Sequence, residues 1–131
     1  MGSFADYWEN EILDHLFGKG SYTPPTIYVG LSTAEPVDDA SGLAEPSGNS
    51  YARAATAGAD WNTASGGTID NANAITFPEA SGNWGTLSHF ALFDAASGGN
   101  MLAHGSLSVS KSISSGDTVK FATGDLDISL D

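Results

Sequence analysis

The amino-acid sequence predicts an all-β protein, an antiparallel β-sandwich of the jelly-roll-like kind with one N-terminal α-helix. Six or seven short segments have the apolar composition or the apolar and polar alternation typical of strands. Stretches rich in Gly, Pro, Asn, Asp and Ser separate these segments, as turns do in all-β domains. Helical periodicity is confined to the N-terminus. We therefore expect a helix within residues 1–20 and a β-sandwich domain over residues 21–131.

The predicted helix begins at a capping residue, Ser3, and ends at Gly18, with Asp6 at the capping-box position. An apolar stripe repeats every four residues along about four turns, and it comprises Phe4, Trp8, Ile12 and Leu16, broadened by Leu13 and Phe17. A stripe of this kind has to be buried. It either covers one end of the sheet or contacts another subunit, and the tentative assembly contact is Phe4, Trp8, Ile12 and Leu16.

Strands are predicted at residues 26–32, 51–57, 74–77, 87–93, 101–107, 118–122 and 126–130. In the first strand Ile27, Val29 and Leu31 share one face, and residues 33–50 that follow have the composition of a long loop. Segments 87–93 and 101–107 form a hairpin with Phe93 near Met101. The last strand has the clearest alternation, which places Leu126, Ile128 and Leu130 inward and Asp127 and Asp131 outward.

The charge balance excludes several classes of partner. The chain has 131 residues with 16 acidic and 4 basic side chains, a net charge of -12. This charge repels phosphate backbones and anionic lipid surfaces, so we expect neither nucleic-acid binding nor membrane insertion. No segment has the roughly 18 apolar residues that span a bilayer, and the acidic N-terminus does not resemble a secretory signal. There is no cysteine, which excludes disulfides and thiolate metal sites.

The hairpin carries two histidines, His89 and His104, that antiparallel pairing brings within reach of each other. A zinc site needs three or four ligands, and the third histidine, His15, lies on the helix without a supporting spacing. A catalytic set of Ser88, His104 and Asp94 is conceivable on paper, but no G-x-S-x-G motif accompanies it. We therefore predict no catalytic, cofactor-binding or metal-binding residue here.

Acidic and aromatic side chains leave weaker alternatives open. A loop calcium site is conceivable near Asp38 and Asp39 or near Asp70, although the EF-hand spacing is absent. Paired carboxylates across a cleft would suit a glycan hydrolase. Tyr51 and Trp61 are candidate platforms for stacking a sugar.

Four stretches together resemble a known protein family: residues 25–36, 48–55, 73–102 and 115–131, of which FPEASGNWGTLSHFALFDAASGGNML is the most specific part. They are similar to small virion proteins of tailed bacteriophages, of the tail fibre, head fibre or capsid decoration type. The N-terminal segment FADYWENEILDHLFG also resembles the helix that opens many of them.

The resemblance implies a non-enzymatic structural protein, made in the host cytoplasm and mounted on the particle surface as a fibre or decoration subunit. It would stabilise the particle or aid host adhesion. The implied partners are further copies of the chain as a homotrimer, the major capsid protein or tail and fibre proteins, and a host surface glycan. The alternatives are a carbohydrate-binding module that uses Tyr51 and Trp61, and a glycan hydrolase. No cofactor is expected.

Overall fold

The structure, a computed structural model, describes residues 2–130. Its strands and its one α-helix follow in the order β1 (Gly2–Phe4), α1 (Asp6–Leu16), β2 (Tyr28–Ser32), β3 (Ala54–Ala55), β4 (Thr68–Asp70), β5 (Ile75–Thr76), β6 (Gly85–Phe93), β7 (Met101–Ile113), β8 (Lys120–Phe121) and β9 (Asp127–Ser129). A 3₁₀ turn, Gly58–Asp60, precedes β4. The predicted all-β fold with one N-terminal helix is confirmed.

Seven strands form one sheet in the order β3-β2-β6-β7-β1-β9-β4, and β5 and β8 form a separate pair. The sheet is mixed, where an antiparallel one was expected, because β1 pairs with β9 in parallel. Parallel neighbours need a long connection, and here the whole intervening chain supplies it. The segment before residue 20 therefore contributes both a helix and an interior strand of the sheet.

The β6–β7 hairpin forms the centre of the sheet, and its predicted register, with Phe93 opposite Met101, is confirmed. A bulge interrupts the pairing further from the turn. Leu87 lies opposite Lys111 and His89 opposite Ser106, so only Ser88 on β6 faces residues 107–110 on β7. We call residues 107–110 the β7 bulge. It leaves Val109 66% exposed.

Alternating strand residues contribute the buried side chains of the core. Val29 and Leu31 on β2 are fully buried, as the alternation predicts. Leu126 and Ile128 are also buried, but the inward placement of Leu130 is wrong, since this side chain is 55% exposed. Leu130 lies one residue beyond β9 and lines an open groove together with Ile128, so its side chain stays uncovered. Asp127 is half-buried, and Asp131 lies outside the described residues.

The helix is shorter than predicted and begins differently. Ser3 and Phe4 lie in β1, so Ser3 does not cap the helix. Ala5 is the N-cap and makes no side-chain cap hydrogen bond. A backbone contact to the rest of the fold satisfies one free N–H group of the first turn, because the Asp6 N–H donates to the Asp38 carbonyl at 3.0 Å. The predicted end is confirmed: Gly18 has φ 73°, the left-handed conformation that glycine adopts readily.

Candidate functional site

An open groove of about 840 Å³ lies where the N-terminal segment, the residues before β2 and the 56–69 segment meet. Aromatic and aliphatic side chains dominate its wall, among them Phe4, Trp8, Ile27, Trp61, Ile69 and Leu130. None of the described residues that line it carries a charge. On a chain with a net charge of -12, this apolar groove is a distinct, uncharged surface.

Trp61 is held in the groove wall by a short hydrogen-bonded chain. The 3₁₀ turn places it, and its indole Nε1 donates to the Thr56 hydroxyl at 3.0 Å. The Thr56 hydroxyl in turn donates to the Ile27 carbonyl at 2.8 Å. Because the ring is fixed in this way, little side-chain entropy is lost when something packs against it.

Two carboxylates are bonded directly to residues of the groove wall. Asp60 accepts from the backbone N–H of Ala57 at 2.9 Å, and this bond, with a further one from the Asn73 side chain, lowers the pKa of Asp60. Asp70 accepts from the Asn62 side chain at 2.8 Å. We call Asp60 and Asp70 the rim carboxylates. The residues that line the groove are uncharged, and these two carboxylates place negative charge directly next to them.

The opposite wall contains two of the four residues assigned to assembly. The rings of Phe4 and Trp8 are 4.6 Å apart between centroids, and the Trp8 Nε1 donates to the Tyr22 hydroxyl at 3.0 Å. Burial is the main cause of the raised pKa of Tyr22. Both rings also pack against the core. Phe4 and Trp8 therefore join the helix to its own domain while part of their surface still faces the groove.

The other two assembly residues lie further along the helix. Ile12 is half-buried and does not line the groove, and Leu16 is 70% exposed. Leu16 lies beside Leu13 and Phe17, which are also exposed. We call Leu13, Leu16 and Phe17 the exposed helix end. The structure thus divides the predicted stripe between a groove wall and an uncovered apolar tip.

Tyr51 does not join Trp61 in the groove. Its hydroxyl donates to Glu45 at 2.7 Å and accepts from the Leu31 N–H at 3.0 Å, and burial raises its pKa. The ring packs edge-on against Trp84 at 5.2 Å. These contacts leave the Tyr51 hydroxyl committed to the fold, so the structure does not bring the two proposed sugar platforms together.

Glu45 also binds Arg53, and sequence reasoning missed this cluster. The guanidinium donates to both Glu45 carboxylate oxygens, at 2.9 and 2.6 Å, and to the carbonyls of Ala95 and Gly98, both at 2.8 Å. It also lies 3.4 Å from the centre of the Phe93 ring. The cluster connects the loop of residues 33–50 to the turn between β6 and β7, so its role is structural.

The two hairpin histidines do not bond to each other. Within the sheet His89 Nδ1 lies 2.8 Å from the Ser88 hydroxyl, and His104 Nε2 lies 2.8 Å from the Asp38 carboxylate. Asp94 accepts hydrogen bonds from Asn100. Ser88, His104 and Asp94 are therefore each engaged with a different partner and do not form the catalytic set considered from the sequence.

Of the acids considered for calcium, Asp38 lies near two others that the sequence did not single out. Carboxylate oxygens of Asp6, Glu9 and Asp38 all lie within 4.8 Å of one another. Asp6 and Asp38 are exposed, and exposed acids often cluster without an ion. Asp39 instead accepts from Ser41 in its own turn, and hydrogen bonds with Ser41 lower its pKa. In the sequence, the spacing of Asp6 and Glu9 on the first helical turn was the signal that pointed to two neighbouring carboxylates.

Comparison with known protein families gives a match that covers nearly the whole chain. A family model described as Podophage GP4 fiber I protein gp80 matches residues 3–129. No curated protein matches the chain. Within residues 2–130, no helix has the length and apolar character needed to cross a bilayer.

Proposed function

We propose a structural role on the phage particle for this chain, which belongs to the podophage GP4 fiber I protein gp80 family. As a member of this family, the chain is a phage fibre protein and a virion component. We infer that it is a non-enzymatic subunit mounted on the particle surface, where it stabilises the particle or presents a face to the host. The observation that carries this proposal is the match over residues 3–129, which covers nearly the whole chain.

The side-chain chemistry supports a structural role. Every buried side-chain nitrogen and oxygen among residues 2–130 has a hydrogen-bond partner. Two ion pairs connect parts of the fold: Arg53 and Glu45 fasten a loop, and His104, considered for catalysis from the sequence, pairs with Asp38 and joins β7 to residues 33–50. A strongly acidic surface also keeps many copies soluble at high local concentration.

We further propose that the subunit is attached through its N-terminal region and that it contacts the capsid or tail proteins and further copies of itself, with a homotrimer as the expected assembly. The exposed helix end supports this proposal, because three large apolar side chains in five residues are uncovered in the isolated chain.

The test is to ask whether the protein is on the particle and what it does there. Purified phage would be examined by mass spectrometry and by electron microscopy with an antibody against the chain. Detection in stoichiometric amounts at a fixed site supports the proposal, and absence from purified particles overturns it.

A phage lacking the gene then separates the two roles. Particles that adsorb normally but lose their genome on heating indicate stabilisation. Particles that withstand heat but adsorb poorly indicate adhesion. A purified chain that cleaves host polysaccharide would overturn the non-enzymatic role.

A further inference from the structure

We propose that the apolar groove of one copy receives the exposed helix end of a second copy. This inference rests on the proposed structural role, since a subunit mounted in several copies needs a contact between copies. The chain carries a recess and a tip of matching chemistry on different surfaces. A contact between unlike surfaces can close into a ring of subunits, as a trimer requires.

The distribution of exposed apolar side chains supports this pairing. Six large hydrophobic residues are exposed in the described part of the chain, and three of them form the helix end. A fourth, Leu130, lines the groove. Isolated exposed hydrophobics are ordinary, but an exposed apolar cluster and an open apolar groove on one chain are typical of interaction surfaces. The remaining two, Val37 and Val109, belong neither to the exposed helix end nor to the groove, so they serve as control positions.

Charge complementarity identifies a second copy as the occupant. The rim carboxylates, Asp60 and Asp70, make the edge of the groove acidic. Lys19 follows the exposed helix end by two residues and is one of only four cations in the chain. A contact that seats Leu16 and Phe17 against Trp61 and turns Lys19 towards the rim pairs opposite charges. Asp14, on the last helical turn, would have to face away from the rim.

The first measurement is the mass of the full-length protein by light scattering over a range of concentrations. We expect self-association of the wild type. The variant with Leu16→Asp and Phe17→Asp should raise the dissociation constant by about 100-fold or more, since each large side chain contributes at least about tenfold. The matched control is the variant with Val37→Asp and Val109→Asp, which places the same two charges on exposed apolar residues elsewhere and should leave association unchanged.

A groove variant tests the other half of the contact. Ala64→Arg fills the groove from an exposed position of its wall, so the fold is expected to persist, and circular dichroism checks this. Neither this variant nor the helix-end variant should self-associate. A 1:1 mixture of the two should form a dimer that grows no further, because one intact tip and one intact groove remain.

Charge reversal gives a third readout. Lys19→Glu should weaken association, whereas Lys111→Glu, on β7 beside the bulge, should not.

The proposal is overturned by a wild type that stays monomeric, by helix-end variants that associate normally, or by a mixture that shows no dimer. Loss of binding to a neutral oligosaccharide in Ala64→Arg, with a monomeric wild type, would assign the groove to a glycan instead. None of these results depends on whether the chain is found on particles, so this inference and the proposed function fail separately.

Discussion

Gly2 lies opposite Ile128 in a parallel pair, so the first and last strands of the chain are neighbours in the sheet. β1 pairs on its other side with β7, where Gly2 lies opposite Gly105. The N-terminal strand therefore bridges the central hairpin and the C-terminal strand. A chain beginning at Tyr22 would lose an interior strand as well as the helix, and we expect it to fail to fold on its own.

The packing at Gly2 predicts sensitivity to a single methyl group. A Cβ at this position would lie 2.7 Å from Cζ of Phe90 and 2.9 Å from the His104 carbonyl oxygen. We expect Gly2→Ala to lower the free energy of unfolding by about 1–3 kcal/mol through overpacking. Gly58→Ala is the matched control, since a Cβ there meets nothing within 4 Å. Equal urea midpoints for the two variants would contradict the placement of β1.

The C-terminal strand predicts different costs for two neighbouring apolar residues. Ile128 is 2% exposed and Leu130 is 55% exposed. Ile128→Ala should cost about 2–5 kcal/mol of stability because it leaves a cavity in the core. Leu130→Ala, at a mostly exposed side chain, should cost about 0.5 kcal/mol or less. Chemical denaturation of both variants checks this, and a larger loss for Leu130→Ala would mean that the assigned face is wrong.

The Arg53 cluster predicts a strongly coupled pair. Only 6% of the Arg53 side chain and 19% of the Glu45 side chain are exposed. Arg53→Ala leaves the Glu45 charge without its partner and should cost about 3–5 kcal/mol. Arg53→Met with Glu45→Gln should recover part of that loss, because no unpaired charge remains. Lys111→Ala, at an exposed cation, is the control. A double-mutant cycle with no coupling energy would contradict the cluster.

Acid should weaken the turn that presents Trp61. The hydrogen bonds from Ala57 and Asn73 lower the pKa of Asp60 in the folded protein. The stabilisation is therefore complete above the unfolded pKa of about 4 and is lost as the pH falls through the lower, folded value. Asp60→Asn should flatten this part of the stability profile, measured by denaturation between about pH 5 and pH 2. An unchanged acid limb in Asp60→Asn would show that this carboxylate does not stabilise the turn.

The hairpin histidines should be dispensable for chemistry. His89 and His104 bond to Ser88 and Asp38, and neither bonds to the other. The variant with both changed to Gln should fold and should be incorporated into particles at near-normal levels. Elemental analysis of the wild type and the variant is the check, and a bound transition metal that disappears in the variant would reveal a metal site at the hairpin.

The sequence by itself determined the elements that depend on short stretches of chain. The alternation around Val29 and Leu31 predicted a strand with these two residues buried, although the structure also buries Gly30 and Ser32 on its other face. The composition of residues 33–50 predicted a loop. The register of Phe93 and Met101 followed from the hairpin, and Gly18 marked the end of the helix. Each of these depends on contacts within a few residues or across one turn, which local patterns encode.

Only the tertiary structure decided how distant segments meet. Helix signals in residues 3–6 predicted a cap at Ser3. In the structure Ser3 lies in β1, which pairs with β7 and β9. The hydrogen bonds and burial of an interior strand outweigh a single capping bond. Leu130 continues the alternating pattern of the last strand, but it lines an open groove and is therefore 55% exposed. The groove unites Trp8, Trp61 and Leu130, which are far apart in the chain and share no motif. Such a surface arises from non-local packing, which no local pattern of residues specifies.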